Sequence, residues 1–138
     1  MVNKYVLDAC ALMAFVCDEK GANIIEDVLS EANDGTSIVY MNKLNFFEVY
    51  YNIRRAEGDQ KSEDFYNTVM KLPITIISEF SDEVFHEAGR IKSRYKMSLA
   101  DSIALAEASI MGASILTSDH HEFDIVEKNE KIKFCWIR

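Results

Sequence analysis

The chain has 138 residues, room for one domain of ordinary size, and 49% of them are hydrophobic with only one Pro and five Gly, which excludes a disordered tail, a collagen-like repeat and a low-complexity linker. Cys10, Cys17 and Cys135 stand at wide, odd spacing with no CxxC pair, so a disulfide framework is not expected and a reducing compartment is. Lys and Arg number 15 against 23 Asp and Glu, and the formal charge of −8 disfavours non-specific nucleic-acid binding unless many of the carboxylates are gathered at one site.

In chain order, Lys4 to Leu7 is a short β-prone run stopped by Asp8, and a helix is expected from Ala9 to Cys17. Tyr5 to Val16 is the longest apolar run near the N-terminus. Asp8 breaks it and it lacks signal-peptide flanks, so a cytoplasmic protein with no membrane span is expected, folded as one domain over residues 1–138. Ile25, Val28, Leu29 and Ala32 repeat at helical spacing up to Asn33-Asp34-Gly35. Ser37 to Tyr40 reads as a second strand, followed by helices over about Asn42 to Glu57 and Gln60 to Leu72, the latter stopped by Pro73. Ile74 to Ile77 is a third strand. Val84, Ala88, Ile91 and Tyr95 form a helical stripe, and Ser98 opens a further helix that ends at Gly112. Ser114 to Thr117 is a fourth strand, and Ile132 to Ile137 a fifth after a polar loop. Short apolar strands alternating with helices predict an α/β fold, a parallel sheet covered on both faces. Ligands of such sheets bind beyond the carboxyl ends of the strands.

Four acidic residues stand at or near that end. Asp8 follows the first strand directly, Asp119 follows the fourth by one residue, Asp101 lies in the first turn of the helix after Ser98, and Glu48 lies in the helix after the second strand. Like charges so placed raise one another's pKa unless a cation stands between them, and all-oxygen ligands favour Mg²⁺ or Mn²⁺. Each residue also has a structural reading. Asp8 suits a helix cap, Asp101 the acidic half of a capping box with Ser98, and Asp119 an Asx-turn. Glu48 belongs to a polar stripe with Asn45 and Asn52 that a solvated edge would also produce. The helix carrying Asp101 is apolar nearly all round, so it is buried, which favours a functional role for a carboxylate at its start.

These segments together resemble the PIN-domain family, and within it the VapC-type toxins of prokaryotic toxin–antitoxin pairs. The resemblance rests on Tyr5-Val6-Leu7-Asp8-Ala9-Cys10-Ala11-Leu12, Asn45-Phe46-Phe47-Glu48-Val49, Ser98-Leu99-Ala100-Asp101-Ser102 and Leu116-Thr117-Ser118-Asp119, in the family's order and over essentially the whole chain. It implies a Rossmann-like sandwich with a five-stranded parallel sheet in the order 3-2-1-4-5. It further implies a metal-dependent endoribonuclease whose Mg²⁺ or Mn²⁺ is held by Asp8, Glu48, Asp101 and Asp119, with Thr117 helping to position water or metal and Asp124 as a further acidic candidate. The products would carry 5′-phosphate and 3′-hydroxyl ends. A cognate antitoxin and a homodimer are implied as partners. Cys10 departs from the Ser or Asn more usual in the family, and it is expected to pack as a small hydrophobe rather than to act as a nucleophile.

The four carboxylates account for half of the net charge, so two bound divalent ions would leave about −4 and remove the objection to an RNA substrate. Arg54-Arg55 and the series Arg90, Lys92, Arg94, Lys96 offer local positive charge, with Arg90 and Arg94 on one helical face; solvated basic residues at a helix end give the same pattern. His120-His121-Glu122 is read as a solvated loop rather than a metal cluster, and Trp136 as core rather than a base-stacking platform. Phe46, Phe47, Tyr50 and Tyr51 are first of all core, and any exposed part would suit a dimer face or an antitoxin groove. Receiver and haloacid-dehalogenase folds fit poorly, because Cys10 stands where the latter needs a second Asp and Ser78-Glu79 where the former needs an Asp. The alternative of a different class is a PIN-like module that binds a partner without cutting.

Overall fold

A computed structural model describes residues 2–138; Met1 lies outside the described residues. Strands β1 (Asn3–Leu7), β2 (Ser37–Asn42), β3 (Ile74–Ile77), β4 (Ser114–Thr117) and β5 (Lys133–Trp136) form one sheet in the order β3-β2-β1-β4-β5. All four pairings are parallel. The order is the one the family resemblance implies. β1 is central, with Leu7 opposite Leu116 of β4 and Val6 opposite Tyr40 of β2.

Strand periodicity divides the core in two. Leu7, Val39, Met41 and Leu116 face helices α1 (Ala9–Val16), α2 (Ala22–Asn33), α3 (Lys43–Glu57) and α4 (Asp59–Met70), packing on Leu12, Ile25, Phe46, Val49, Phe65 and Val69. Val6 and Ile115 face α5 (Asp82–Arg94), α6 (Leu99–Met111) and α7 (His120–Asn129), against Ile91, Leu105, Phe123 and Val126. α6 is buried from Ser102 through Ala108, as its mostly apolar sequence predicts, and the burial takes in the polar Ser102 and Glu107.

The expected polar loop before β5 is instead the ten-residue helix α7. Asp119 caps it by accepting the Glu122 N–H at 3.0 Å, and Phe123 and Val126, three residues apart, bury one face. The many charged residues of this segment mask a stripe of only two large buried side chains. Elsewhere the differences are at ends. β2 extends two residues beyond Tyr40, so that Asn42 serves as the α3 cap rather than its first residue. Gly21, at φ +100°, caps α2 where a Cβ would stand 2.6 Å from the Ile137 carbonyl oxygen, so only glycine lets the chain pass there. Among the described residues no helix is long and apolar enough to cross a membrane.

Candidate functional site

β1 and β4 are neighbours, and the helices that follow them start at the same end of the sheet. Asp8 is only 1% exposed, and its Oδ1 accepts the Ala11 N–H at 2.8 Å as the cap of α1. Burial pushes its carboxyl up to about 7; the Thr117 hydroxyl and the Ala11 N–H pull it down, and the charges of Asp101 and Asp119 push it further up. Thr117 itself is buried at the end of β4, and its hydroxyl accepts the Asp119 N–H at 3.0 Å.

Asp101 sits in the first turn of α6, where Ser98 Oγ accepts its N–H at 3.1 Å. Burial raises its carboxyl to about 6, the Ser98 contact lowers it, and the charges of Glu48, Asp119 and Glu122 raise it further. Glu48 is half-buried on α3 and desolvation raises it too. The stripe of Asn45, Glu48 and Asn52 therefore runs from the interior to solvent: Asn45 is buried, Glu48 half-buried and Asn52 exposed.

The helix-cap reading of Asp8 holds, and the residue also stands in an acidic group. Asp8, Asp101 and Asp119 stand at the N-termini of α1, α6 and α7, where partial positive charge favours carboxylates. The side chains act on one another electrostatically without meeting at one point: among the described residues no three His, Cys, Asp or Glu side chains stand close enough to enclose a metal ion. The donor set suits a hard divalent cation, being four carboxylates and a hydroxyl, with no cation among the groups that act most on Asp8 or Asp101.

Sequence reasoning missed the polar brace beneath this group. Asn42 caps α3 by accepting the Asn45 N–H at 2.7 Å, and its Nδ2 donates to Glu107 Oε1 at 3.1 Å. Asn45 Nδ2 donates to the Ala100 carbonyl at 3.3 Å. The brace ties the helix of Glu48 to that of Asp101. Glu107 is 2% exposed with Oε2 unpartnered, and burial pushes its carboxyl up to about 7. A single carboxylate inside Leu105-Ala106-Glu107-Ala108 was the available signal. Beside it, a pocket of about 570 Å³ at the ends of β2 and β3 is lined by Leu44, Phe47, Phe80 and Leu99, all of them exposed.

The structure also places the other residues singled out in the sequence. Cys10 is an exposed residue whose thiol is nonetheless partly desolvated, and that desolvation together with the charges of Asp8, Asp119 and Asp101 pushes the thiol up to about 12, far from a nucleophilic thiolate. Arg90 is engaged by Glu87 and Glu130, each at 2.8 Å, and Arg94 lies 3.9 Å from Glu130, so this pair braces α5 against the end of α7. Trp136 packs against the core as expected, but only half-buried, and it donates its indole N–H to Glu127 at 3.1 Å. Asp124 bonds His120 at 2.8 Å; the further acid acting on Asp101 is Glu122.

Several solved structures share the fold. VapBC2 from Rickettsia felis, bound to a DNA fragment from its promoter, superposes with a TM-score of 0.73 at 11% identity over 96% of this chain and 98% of that one. DNA-bound VapBC from Salmonella typhimurium gives 0.73 at 12% identity over all of both chains. VapC20 from Mycobacterium tuberculosis, a Sarcin-Ricin loop cleaving toxin, gives 0.63 at 8% identity over 91% of this chain and 95% of that one. No curated protein matches the chain in sequence. The PIN domain family model matches residues 5–129, nearly the full length of the sheet and its helices. With that match and the 3-2-1-4-5 sheet, the chain belongs to the PIN-domain family.

Proposed function

We propose that the chain is a Mg²⁺- or Mn²⁺-dependent endoribonuclease, the toxin of a type II toxin–antitoxin pair. The observation that carries this reading is Asp8. A carboxyl 1% exposed, raised to about 7 and pressed by Asp101 and Asp119, is costly in a folded chain unless a cation is to be received there. The PIN-domain family and the fold shared with VapC20, a loop-cleaving toxin, support it.

In this reading Asp8, Glu48 and Asp101 hold the metal, and Asp119 holds it directly or through water. A bound divalent ion supplies a more acidic water and charge stabilisation at the scissile phosphate. Thr117 keeps two of the acids in register, accepting from Asp119 while its hydroxyl lies against Asp8. The brace of Asn42, Asn45 and Glu107 ties α3, which carries Glu48, to α6, which carries Asp101. Cys10 takes no covalent part.

The VapBC complexes among the structural neighbours support an antitoxin partner. A second copy of the chain is the occupant proposed for the exposed apolar patch of Leu44, Phe47, Phe80, Phe85 and Leu99. The test of the nuclease is digestion of total cellular RNA by the purified, partner-free chain with Mn²⁺, followed by sequencing of new 5′-phosphate ends. Discrete cuts lost in EDTA and in Asp8→Asn are expected. Cuts that survive either change, or no cuts, would remove it.

The second reading, a PIN-like module that binds without cutting, draws on the separation of the carboxylates as they stand. A melting temperature that Mn²⁺ leaves unchanged would favour it, because a ligand of the folded state must raise that temperature.

A further inference from the structure

Directly after Asp119 the chain places an aromatic ladder. The His120 ring stacks on Trp136 with centroids 3.9 Å apart and planes 11° from parallel, and Trp136 stacks on Phe134 at 5.4 Å and 12°. The ladder is held rather than loose. The two ring nitrogens of His120 lie 2.8 Å from Asp124 Oδ1 and 2.8 Å from the Arg138 carbonyl oxygen, and Glu127 holds the indole of Trp136. His120 is the outermost ring, and its side chain is 50% exposed. Trp136 is in register with Thr117 on the neighbouring strand. The ladder thus rises from the strand position beside the candidate site, and its free end is one residue, about 3.8 Å along the backbone, from Asp119.

An acidic protein attracts phosphates weakly, and here Arg90 is already occupied by Glu87 and Glu130. Stacking on an aromatic face does not need positive charge, and every base offers a flat π surface. We propose that the free face of His120, backed by Trp136, is a stacking platform for one base of the RNA beside the scissile phosphate. This rests on the reading of the chain as a ribonuclease. The rings themselves contribute no proton or metal ligand; they are a binding subsite, and the preference is for a planar base over an abasic nucleotide.

The test uses the full chain with Asp8→Asn, histidine labelled with ¹³C, titrated by NMR with a six-nucleotide oligoadenylate. The chain has three histidines, His86, His120 and His121, so each ring is resolved by single substitution. Upfield, saturable shifts of the His120 ring protons with His86 unmoved are expected, and the same hexamer made abasic at successive positions should lose them at one position. In the otherwise unaltered chain, His120→Ala should raise KM about tenfold with kcat within twofold, and His120→Phe should restore KM. Circular dichroism melting is the check that these variants fold. Cleavage with no shift at His120, or His120→Ala with an unchanged KM, overturns the platform and leaves the nuclease. Saturable shifts in a chain that never cuts RNA overturn the nuclease, and with it the platform's place beside a scissile phosphate. Absence of any saturable shift overturns the platform.

Discussion

Thr117 Oγ1 accepts the Asp119 N–H at 3.0 Å while the same hydroxyl lies against the buried carboxyl of Asp8. One small side chain thus sets the spacing of two acids that belong to different strand–helix junctions. Thr117→Val keeps the shape but leaves the part-buried Asp119 N–H without its acceptor and Asp8 without its donor. Stability should fall by about 1–3 kcal/mol, and Mn²⁺ affinity, read by isothermal titration, by about tenfold. Thr117→Ser should recover most of both. Equal metal affinity in Thr117→Val and the unaltered chain would count against the hydroxyl's role.

The raised acids set the sign of the pH dependence. Asp8 at about 7 and Asp101 at about 6 both bind protons in the folded chain at pH values where the unfolded chain, near 3.8, has lost them. Their contribution to stability is therefore fully present below about pH 4 and is lost as pH rises through 6 to 7. Glu107, at about 7, adds in the same direction. The metal-free melting temperature should fall between pH 5 and 8, and the rise caused by Mn²⁺ should grow over the same interval. A metal-free melting temperature that climbs with pH in that window would contradict the buried, uncompensated acids.

Asp8→Asn separates the two roles of that residue. Asn keeps an oxygen that can accept the Ala11 N–H, so α1 stays capped, while the buried charge is gone. At pH 8 without metal the variant should melt higher than the unaltered chain, and Mn²⁺ should shift it much less. Loss of stability at pH 8 would mean that the charge is compensated by something other than a metal.

The fold was legible where periodicity and local chemistry agree. α6 is bounded by Ser98 and Gly112 and apolar on nearly every side, and β3 and β4 are short β-branched or apolar runs between clear breakers. α7 was hidden because two buried side chains in ten residues leave the pattern looking polar. At the site, Asp8, Glu48, Asp101 and Asp119 stood out by position relative to the strands. Their brace did not, because the contact of Asn42 with Glu107 joins residues 65 apart in sequence and no local pattern announces a long-range hydrogen bond.

That brace can be measured as a coupling. Asn42→Ala alone removes a helix cap and strands Glu107, which should cost about 2–4 kcal/mol by urea denaturation. In a Glu107→Leu background only the cap is lost, about 1 kcal/mol. The difference is the interaction across α3 and α6, and additive effects would show that the contact carries no energy.

The apolar patch predicts an assembly. Phe47→Glu places a charge at its centre, on a residue 55% exposed, so the fold should tolerate it. Light scattering should report a dimer for the unaltered chain and a monomer for the variant. An unchanged mass would move the second copy to another face.

The acids that start helices also shape how this protein can change over generations. An aspartate codon becomes an asparagine codon by one base substitution, and asparagine caps a helix as well as aspartate does. At Asp8 and Asp119, both of them caps, a lineage can therefore lose the acidic group in a single mutational step and keep its architecture. Selection to retain the fold offers no protection against that step; only selection on the chemistry does. Folded descendants that still engage the old partners but no longer carry the acid lie one nucleotide away.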